Sequence, residues 1–372
     1  MTTSSDEDRD ATREEWPRVV TRLFLSADIS GSTAYKQQRT ANAPLAWPTP
    51  FIEFYRQYPG TFFGHWENGH AAHGNPHPAA CGLPQIWKAI GDELVMHQEV
   101  SSESAVACSV DAWINAIREF RERRIFKEHN LGLKGAAWLA TFPDPNFEVM
   151  IPRDQQDAEG YDSAYPLASN RDAVQTQTGT LDFLGPSIDI GFRLASKATT
   201  RRFPVSFELA DVLAHITDAN DKAIHLRHDR DMYLKGVHHD AEYPFFWIDI
   251  GDSELDKAID TLHHLPPYEK EHVKAVAAAA YKDRKLQRPY LPNAKTNPFK
   301  GAGVASPLAQ AAARLRAEAA GPTKGAELTG DPAGSAPVPE SALETLLAGT
   351  STAKGSQGWT RKSASKARPE TS

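Results

Sequence analysis

The chain has 372 residues, 40% of them hydrophobic, with two cysteines, a net charge of -7 and an isoelectric point near 6.1. This acidic balance excludes broad nucleic-acid binding, which leaves a basic footprint, so an anionic ligand must be held locally. Cys81 and Cys108 support neither a disulfide framework nor a cysteine zinc site, and the acidic start and lack of an 18-residue apolar run predict a protein of the cytoplasm without a leader or membrane span.

In chain order, residues 1–16 are polar and are expected to be disordered. Strands are predicted over Val19–Ile29, Gln85–Ile90, Leu94–Glu99, Leu133–Phe142, Met232–Val237 and Phe245–Ile250. Between Ala41 and Pro84 lies a stretch rich in aromatics, glycine and proline. Its histidines His65, His70, His73 and His77 are irregularly spaced on an expected loop, with no acidic or cysteine partner in a ligand pattern, so they do not read as zinc ligands. Val106, Val110, Trp113, Ile117 and Phe120 recur at spacings of four, three, four and three, which makes one helical stripe over 104–126. A second helix is predicted over Asp189–Lys197. Residues 251–296 read as a helical appendage broken at Pro266 and Pro267. From 297 to 372 the composition turns to Ala, Gly, Pro, Ser, Thr and Lys, too poor in large apolar side chains to order, with one patch of helix formers at Pro307–Ala320.

Strands alternating with helices over residues 17–250 predict an α+β domain with a central, mostly antiparallel sheet flanked by helices. Two turn-borne carboxylates give it chemistry. RLFLSADISGSTAY is a hydrophobic strand ending in Asp28 that passes through Gly31 into a helix start, and LPQIWKAIGDELVMH is a hairpin whose Gly91-Asp92 tip projects Asp92. An aspartate in a glycine turn is ordinarily turn chemistry. Two on neighbouring strands can hold a pair of divalent ions about 3.5–4 Å apart, the spacing that clamps attacking and leaving oxygens in phosphoryl transfer.

These segments resemble the class III nucleotide cyclases. FLSADISGST is similar to that family's first metal motif, KAIGDELV to its second, TLDFLGPSIDIGFRLASKA to its base-reading loop and catalytic helix, and YLKGV to a late triphosphate motif. The resemblance covers roughly residues 17–250 and implies a ferredoxin-like cyclase domain. It implies Asp28 and Asp92 as metal ligands, with the Ile29 carbonyl as a further ligand, for two Mn²⁺ or Mg²⁺ ions. It makes Arg193 the catalytic arginine, Lys235 a triphosphate contact, and Lys88 and Asp182 the base readers. It also implies a homodimer with shared active sites, one subunit giving the aspartates and the other the arginine.

Two departures from the family pattern stand out. Asp189 replaces the asparagine that supports the ribose, and the aromatic Ala41–Pro84 stretch is longer than its counterpart. The lysine and aspartate pair is that of adenylate cyclases. The stand-alone domain with its aromatic insert instead looks like the pyrimidine cyclases of bacterial Pycsar anti-phage defence. That resemblance implies conversion of UTP to cyclic UMP, or of CTP to cyclic CMP, and a separate cyclic-nucleotide-binding effector that receives the product. Lys88 can donate to a uracil carbonyl while Asp182 accepts from N3–H, or the pair can read cytosine. Tyr55, on the helix after the first metal motif, is a candidate base contact. An adenylate or guanylate cyclase and an inactive nucleotide-binding module are the alternatives.

Overall fold

A computed structural model describes residues 19–37, 47–72, 82–143, 145–152, 179–216, 226–228, 232–234, 242–251, 253–263 and 269–300. Lys235, His73, His77, the Pro307–Ala320 patch and residues 1–16 lie outside them. The centre is strand β1 (Val20–Ser30), whose sequence VTRLFLSADIS sends Leu23, Leu25, Ala27 and Ile29 to one face and Phe24 to the other.

Beside β1 lie β3 (Glu93–Val100) and β4 (Gly132–Phe142), and β3 is joined to β2 (Gln85–Ile90) by the Gly91-Asp92 hairpin. With β7 (Arg202–Val205), β8 (Leu226–His228) and β11 (Phe246–Asp249) they make a seven-stranded sheet of order β2-β3-β1-β4-β7-β11-β8. Every neighbouring pair is antiparallel except β4 with β7. The protein is therefore the α+β fold expected, with helices on both faces. Two two-stranded sheets accompany it: β5 (Phe147–Pro152) with β6 (Gly179–Leu184), and β9 (Met232–Tyr233) with β10 (Glu242–Tyr243).

The first face is covered by α3 (Glu103–Arg121), capped by the Ser102 hydroxyl accepting from Ala105 N at 3.2 Å. Its predicted stripe from Val106 to Phe120 is fully buried. The Trp113 indole also donates to the Ser26 carbonyl at 2.9 Å, so the helix is pinned to β1 as well as packed on it. The stripe ends earlier than expected: Arg124–Glu128 forms a separate short helix, α4, after short helix α1 (Ser32–Gln37) and long helix α2 (Thr49–Ala72) in chain order.

Helix α2 corrects the loop expected around His65 and His70. Phe51, Phe54, Tyr58, Phe62 and Trp66, spaced three, four, four and four, form a helical stripe that is buried on α3. Tyr58 and Phe62 meet the Trp113 ring edge-to-face at 4.9 Å. Pro59, Gly60 and Gly64 disguise this period, yet aromatic burial outweighs their poor helix propensity. His65 is thus helical and bonds Glu119 at 2.8 Å.

On the second face, β6 and helix α5 (Pro186–Ala195) enclose an aromatic box of Phe24, Trp87, Trp138, Phe142, Phe183 and Phe192. Helix α5 crosses the Trp138 ring at Gly191, where an added Cβ would lie 2.2 Å from the indole, so no larger residue fits without moving the helix. Its N-terminal turn has no side-chain cap of its own, since Gly185 precedes it at φ 134°. Asn146 supplies one, accepting from Ser187 N at 3.0 Å.

The expected appendage is helical, and its second helix is sealed into the main core. After α6 (Phe207–Ala214) and α7 (Glu254–His263), helix α8 (Lys270–Arg284) buries Val273, Ala277 and Tyr281 in the same cluster as β1. The following segment straps back across the sheet end. Thr21 Oγ1 donates to the Tyr290 carbonyl at 2.7 Å, and the Glu103 carboxylate accepts from Lys295 N and Thr296 N at 3.0 Å each and from Thr296 Oγ1 at 2.5 Å. Residues 297–299 are a 3₁₀ turn with Phe299 buried against His215, so the ordered chain runs past the expected boundary at 297.

Helix α7 is mounted with its polar face inward. Asp256 and Asp260 grip Arg201 at 3.3 and 2.6 Å, Asp260 also takes Arg227 at 2.6 Å, and Asp249 completes the network at 2.8 Å from Arg201. The apolar stripe of Leu255, Ile259 and Leu262 faces outward.

Candidate functional site

Asp28 lies on the second face, near the end of β1, and Asp92 at the hairpin tip beside it. Cross-strand register puts Asp28 opposite Glu93 on β3 and opposite Lys134 on β4, so these three side chains share one row. Asp92 stands one residue away at the hairpin tip, where Gly91 has φ +67°, the left-handed first loop position that type II′ turns reserve for glycine. The tip is joined to β1 by Ile29 N donating to the Asp92 carbonyl at 3.4 Å.

Each aspartate has a lysine counterion: Lys134 Nζ lies 3.1 Å from Asp28, and Lys36 Nζ lies 3.3 Å from Asp92 and 4.5 Å from the centre of the Phe51 ring. The charges do not fully cancel. Burial pushes the Asp28 carboxyl up, against the pull of Lys134, and the Asp92 charge adds to the rise. Glu93 is pushed up to about 6 by burial first and by Asp28 next. Among the described residues no group of three or more His, Cys, Asp or Glu side chains is placed to hold a metal ion. What is present is an open pair of hard oxygen donors in partly buried surroundings with negative charge to spare. Such a donor set fits Mg²⁺ or Mn²⁺, which keep water or phosphate oxygens in their remaining positions.

The second cluster is built around Asp182 on β6. Its Oδ1 accepts from Lys88 Nζ at 2.8 Å, from the Trp87 indole at 2.9 Å and from Phe183 N at 2.9 Å. Two consecutive residues of β2 reach the same oxygen because the strand bulges. Register shifts between Ile86, opposite Met96, and Lys88, opposite Val95, so Trp87 is the extra residue. Lys88 also sits 4.0 Å over the Trp87 ring. The structure thus brings Lys88 and Asp182 together, although they are 94 residues apart.

Arg193 lies in the last turn of α5, partly buried, and its Nε has no hydrogen-bond partner among the described residues. It forms no ion pair with Asp28 or Asp92 there. Asp189 is exposed in the first turn of the same helix, where a carboxylate is favoured by the helix dipole. The Tyr55 hydroxyl donates to the Gly91 carbonyl at 2.6 Å, at the root of Asp92.

Sequence reading missed Glu93, Lys134, Lys36 and Trp87. Only the first two carried a usable signal. Once β1 is aligned with its neighbours by its alternating pattern, the residues opposite Asp28 can be counted off.

No protein-family model matches the chain, and no curated protein matches it. Among solved structures it is similar to the adenylyl cyclase CyaB from P. aeruginosa, with 11% identity over 64% of this chain and 97% of that one and a TM-score of 0.39. It is similar also to the guanylate cyclase domain of RhGC from Catenaria anguillulae in complex with GTP, with 9% identity over 62% and 98% and a TM-score of 0.38. A third is the guanylyl cyclase Cya2, with 14% identity over 68% and 98% and a TM-score of 0.37. At such identities and overlaps, the case for function has to be made by the side chains.

Proposed function

We propose that the chain is a class III-type nucleotide cyclase that converts UTP into 3′,5′-cyclic UMP and diphosphate, acting in the cytoplasm in Pycsar-type antiviral signalling. The observation that carries this reading is the Asp28–Asp92 pair: two carboxylates from adjacent strands, close enough for Asp92 to raise Asp28, at an open sheet end. Asp28, Asp92 and the Ile29 carbonyl would hold two divalent cations. Those ions would supply charge neutralisation for the triphosphate and greater acidity for the ribose 3′-hydroxyl.

The chain's own groups do the rest. The 3′-oxygen attacks the α-phosphorus in line and diphosphate leaves. Arg193 of the partner subunit donates its guanidinium fork to the charge that builds there, and Lys235 neutralises the leaving diphosphate. A role across a dimer accounts for Arg193 having no carboxylate partner among the described residues of its own chain. Lys88 and Asp182 place one donor and one acceptor 2.8 Å apart, a pattern that matches the adjacent carbonyl and N3–H of uracil, with Asp189 as a further substrate contact. The product goes to a separate cyclic-nucleotide-binding effector.

Incubation of the purified chain with each of the four ribonucleoside triphosphates and Mn²⁺, followed by mass spectrometry, tests the reading. Cyclic UMP as main product supports it. Cyclic CMP keeps a pyrimidine cyclase and corrects the base, a cyclic purine as sole product rejects pyrimidine specificity, and no cyclic product rejects the activity.

A further inference from the structure

The hairpin tip that carries Asp92 is open at Gly91, where an added Cβ would meet no atom within 4 Å. Polar ties hold it: Ile29 N to the Asp92 carbonyl, the Lys36–Asp92 ion pair, and the Tyr55 hydroxyl on the Gly91 carbonyl. Of these the Tyr55 bond is the shortest at 2.6 Å, and its donor stands on a helix packed into the core. Tyr55 is half-buried against the core on helix α2, one residue after Phe54, whose fully buried ring packs against Phe120. The same end of the helix bears Phe51, the ring over which Lys36 sits. Helix α2 thus touches both the backbone behind Asp92 and the lysine that neutralises it.

We infer that Tyr55 is a positioning residue, whose hydroxyl fixes the Gly91-Asp92 tip so that Asp92 faces Asp28 at a spacing suited to a divalent cation. The inference deepens the cyclase reading and rests on it for the role of Asp92. Burial, and after it the charges of Asp92, Asp28 and Glu93, raise the Tyr55 phenol above its ordinary value, so it keeps the proton it donates. A hydrogen bond to the Gly91 carbonyl acts on the peptide that leads into Asp92, and so on where that side chain points. The aromatic stretch after the first metal motif thereby becomes the rigid arm from which the second carboxylate is held.

The test is Tyr55→Phe in the full chain, which keeps the ring and removes the donor, with Mn²⁺ alone as probe, free ion being measured by electron paramagnetic resonance. Loss of one neutral hydrogen bond predicts Mn²⁺ binding weakened about fivefold, with an unchanged thermal midpoint. Turnover should recover at high Mn²⁺, and the preference among the four triphosphates should not change. Equal Mn²⁺ affinity in variant and wild type overturns the positioning role while leaving the metal site standing. Altered base preference at unaltered Mn²⁺ affinity also overturns it, and makes Tyr55 a base contact. Wild-type protein that binds no Mn²⁺, when Asp28→Ala behaves identically, removes the metal site itself and the inference with it.

Discussion

The sheet holds two clusters of carboxylates and cations, one on the side of β1 and β3 and one on the side of β7, β8 and β11, and they differ in how the charges are satisfied. Around Arg201 and Arg227, guanidinium forks reach Asp249, Asp256 and Asp260. Although burial opposes it, the Arg201 hydrogen bonds hold Asp249 below the usual carboxylate range, and Arg201 itself is pushed up by Asp249. Around Asp28 and Asp92 the cations are two single lysine ammoniums, and both Asp28 and Glu93 are pushed up. The saturated network lowers Asp249 and serves as structure. At the other cluster burial, with neighbouring carboxylate charge, raises Asp28 and Glu93, and the pair can take a cation from solution.

The sharpest way to break this contrast is at the Asp28–Asp92 cluster. Asp28→Ala or Asp92→Ala should cut product formation by at least about 100-fold, the scale of losing a positioned electrostatic stabiliser, while the thermal midpoint stays near that of wild type. Near-normal turnover in either variant would remove the pair from the mechanism. Mixing Asp92→Ala with Arg193→Ala should then restore part of the activity, because a heterodimer regains one intact site. No recovery despite demonstrated subunit exchange would mean the site is not shared.

At the Arg201 cluster the expected loss is in stability. Arg201→Met should cost about 3 kcal/mol in denaturant unfolding, since Asp249 and Asp260 are left short of a partner, with activity per folded molecule retained. A loss under about 0.5 kcal/mol would show that the network contributes little.

The smallest expected effect concerns the strap. Burial works against the Glu103 carboxylate, but the Thr296 hydroxyl and the surrounding backbone N–H groups hold it below its ordinary 4.5. A depressed carboxylate stabilises the fold above its unfolded value and loses that contribution as pH falls through the folded one. Unfolding measured from about pH 6 down to about pH 3 should therefore show a steeper acid loss in wild type than in Glu103→Gln. Parallel curves would argue that the strap is held by packing alone.

These outcomes also measure how far the sequence was legible. Strand β1, the Gly91-Asp92 hairpin and the α3 stripe could be read because their signals are local: alternation, a turn dipeptide, a helical period. Helix α2 has an equally regular stripe from Phe51 to Trp66, but Pro59 and its glycines obscured it. The Asp182 cluster depends on a one-residue bulge at Trp87, which no periodicity announces, and on strands paired across long separations. Lys134 and Lys36 belong to no motif, and only register and a folded turn place them beside the aspartates. Arg193 was found by motif, and its role awaits the mixing experiment.

Helix α7 has a kinetic consequence of its own. Because charge holds it to the sheet, while its leucines and isoleucine face water, its attachment should weaken with ionic strength as the apolar core tightens. In molar salt its amides should exchange with deuterium well before those of β1, a local opening that leaves the rest of the molecule folded.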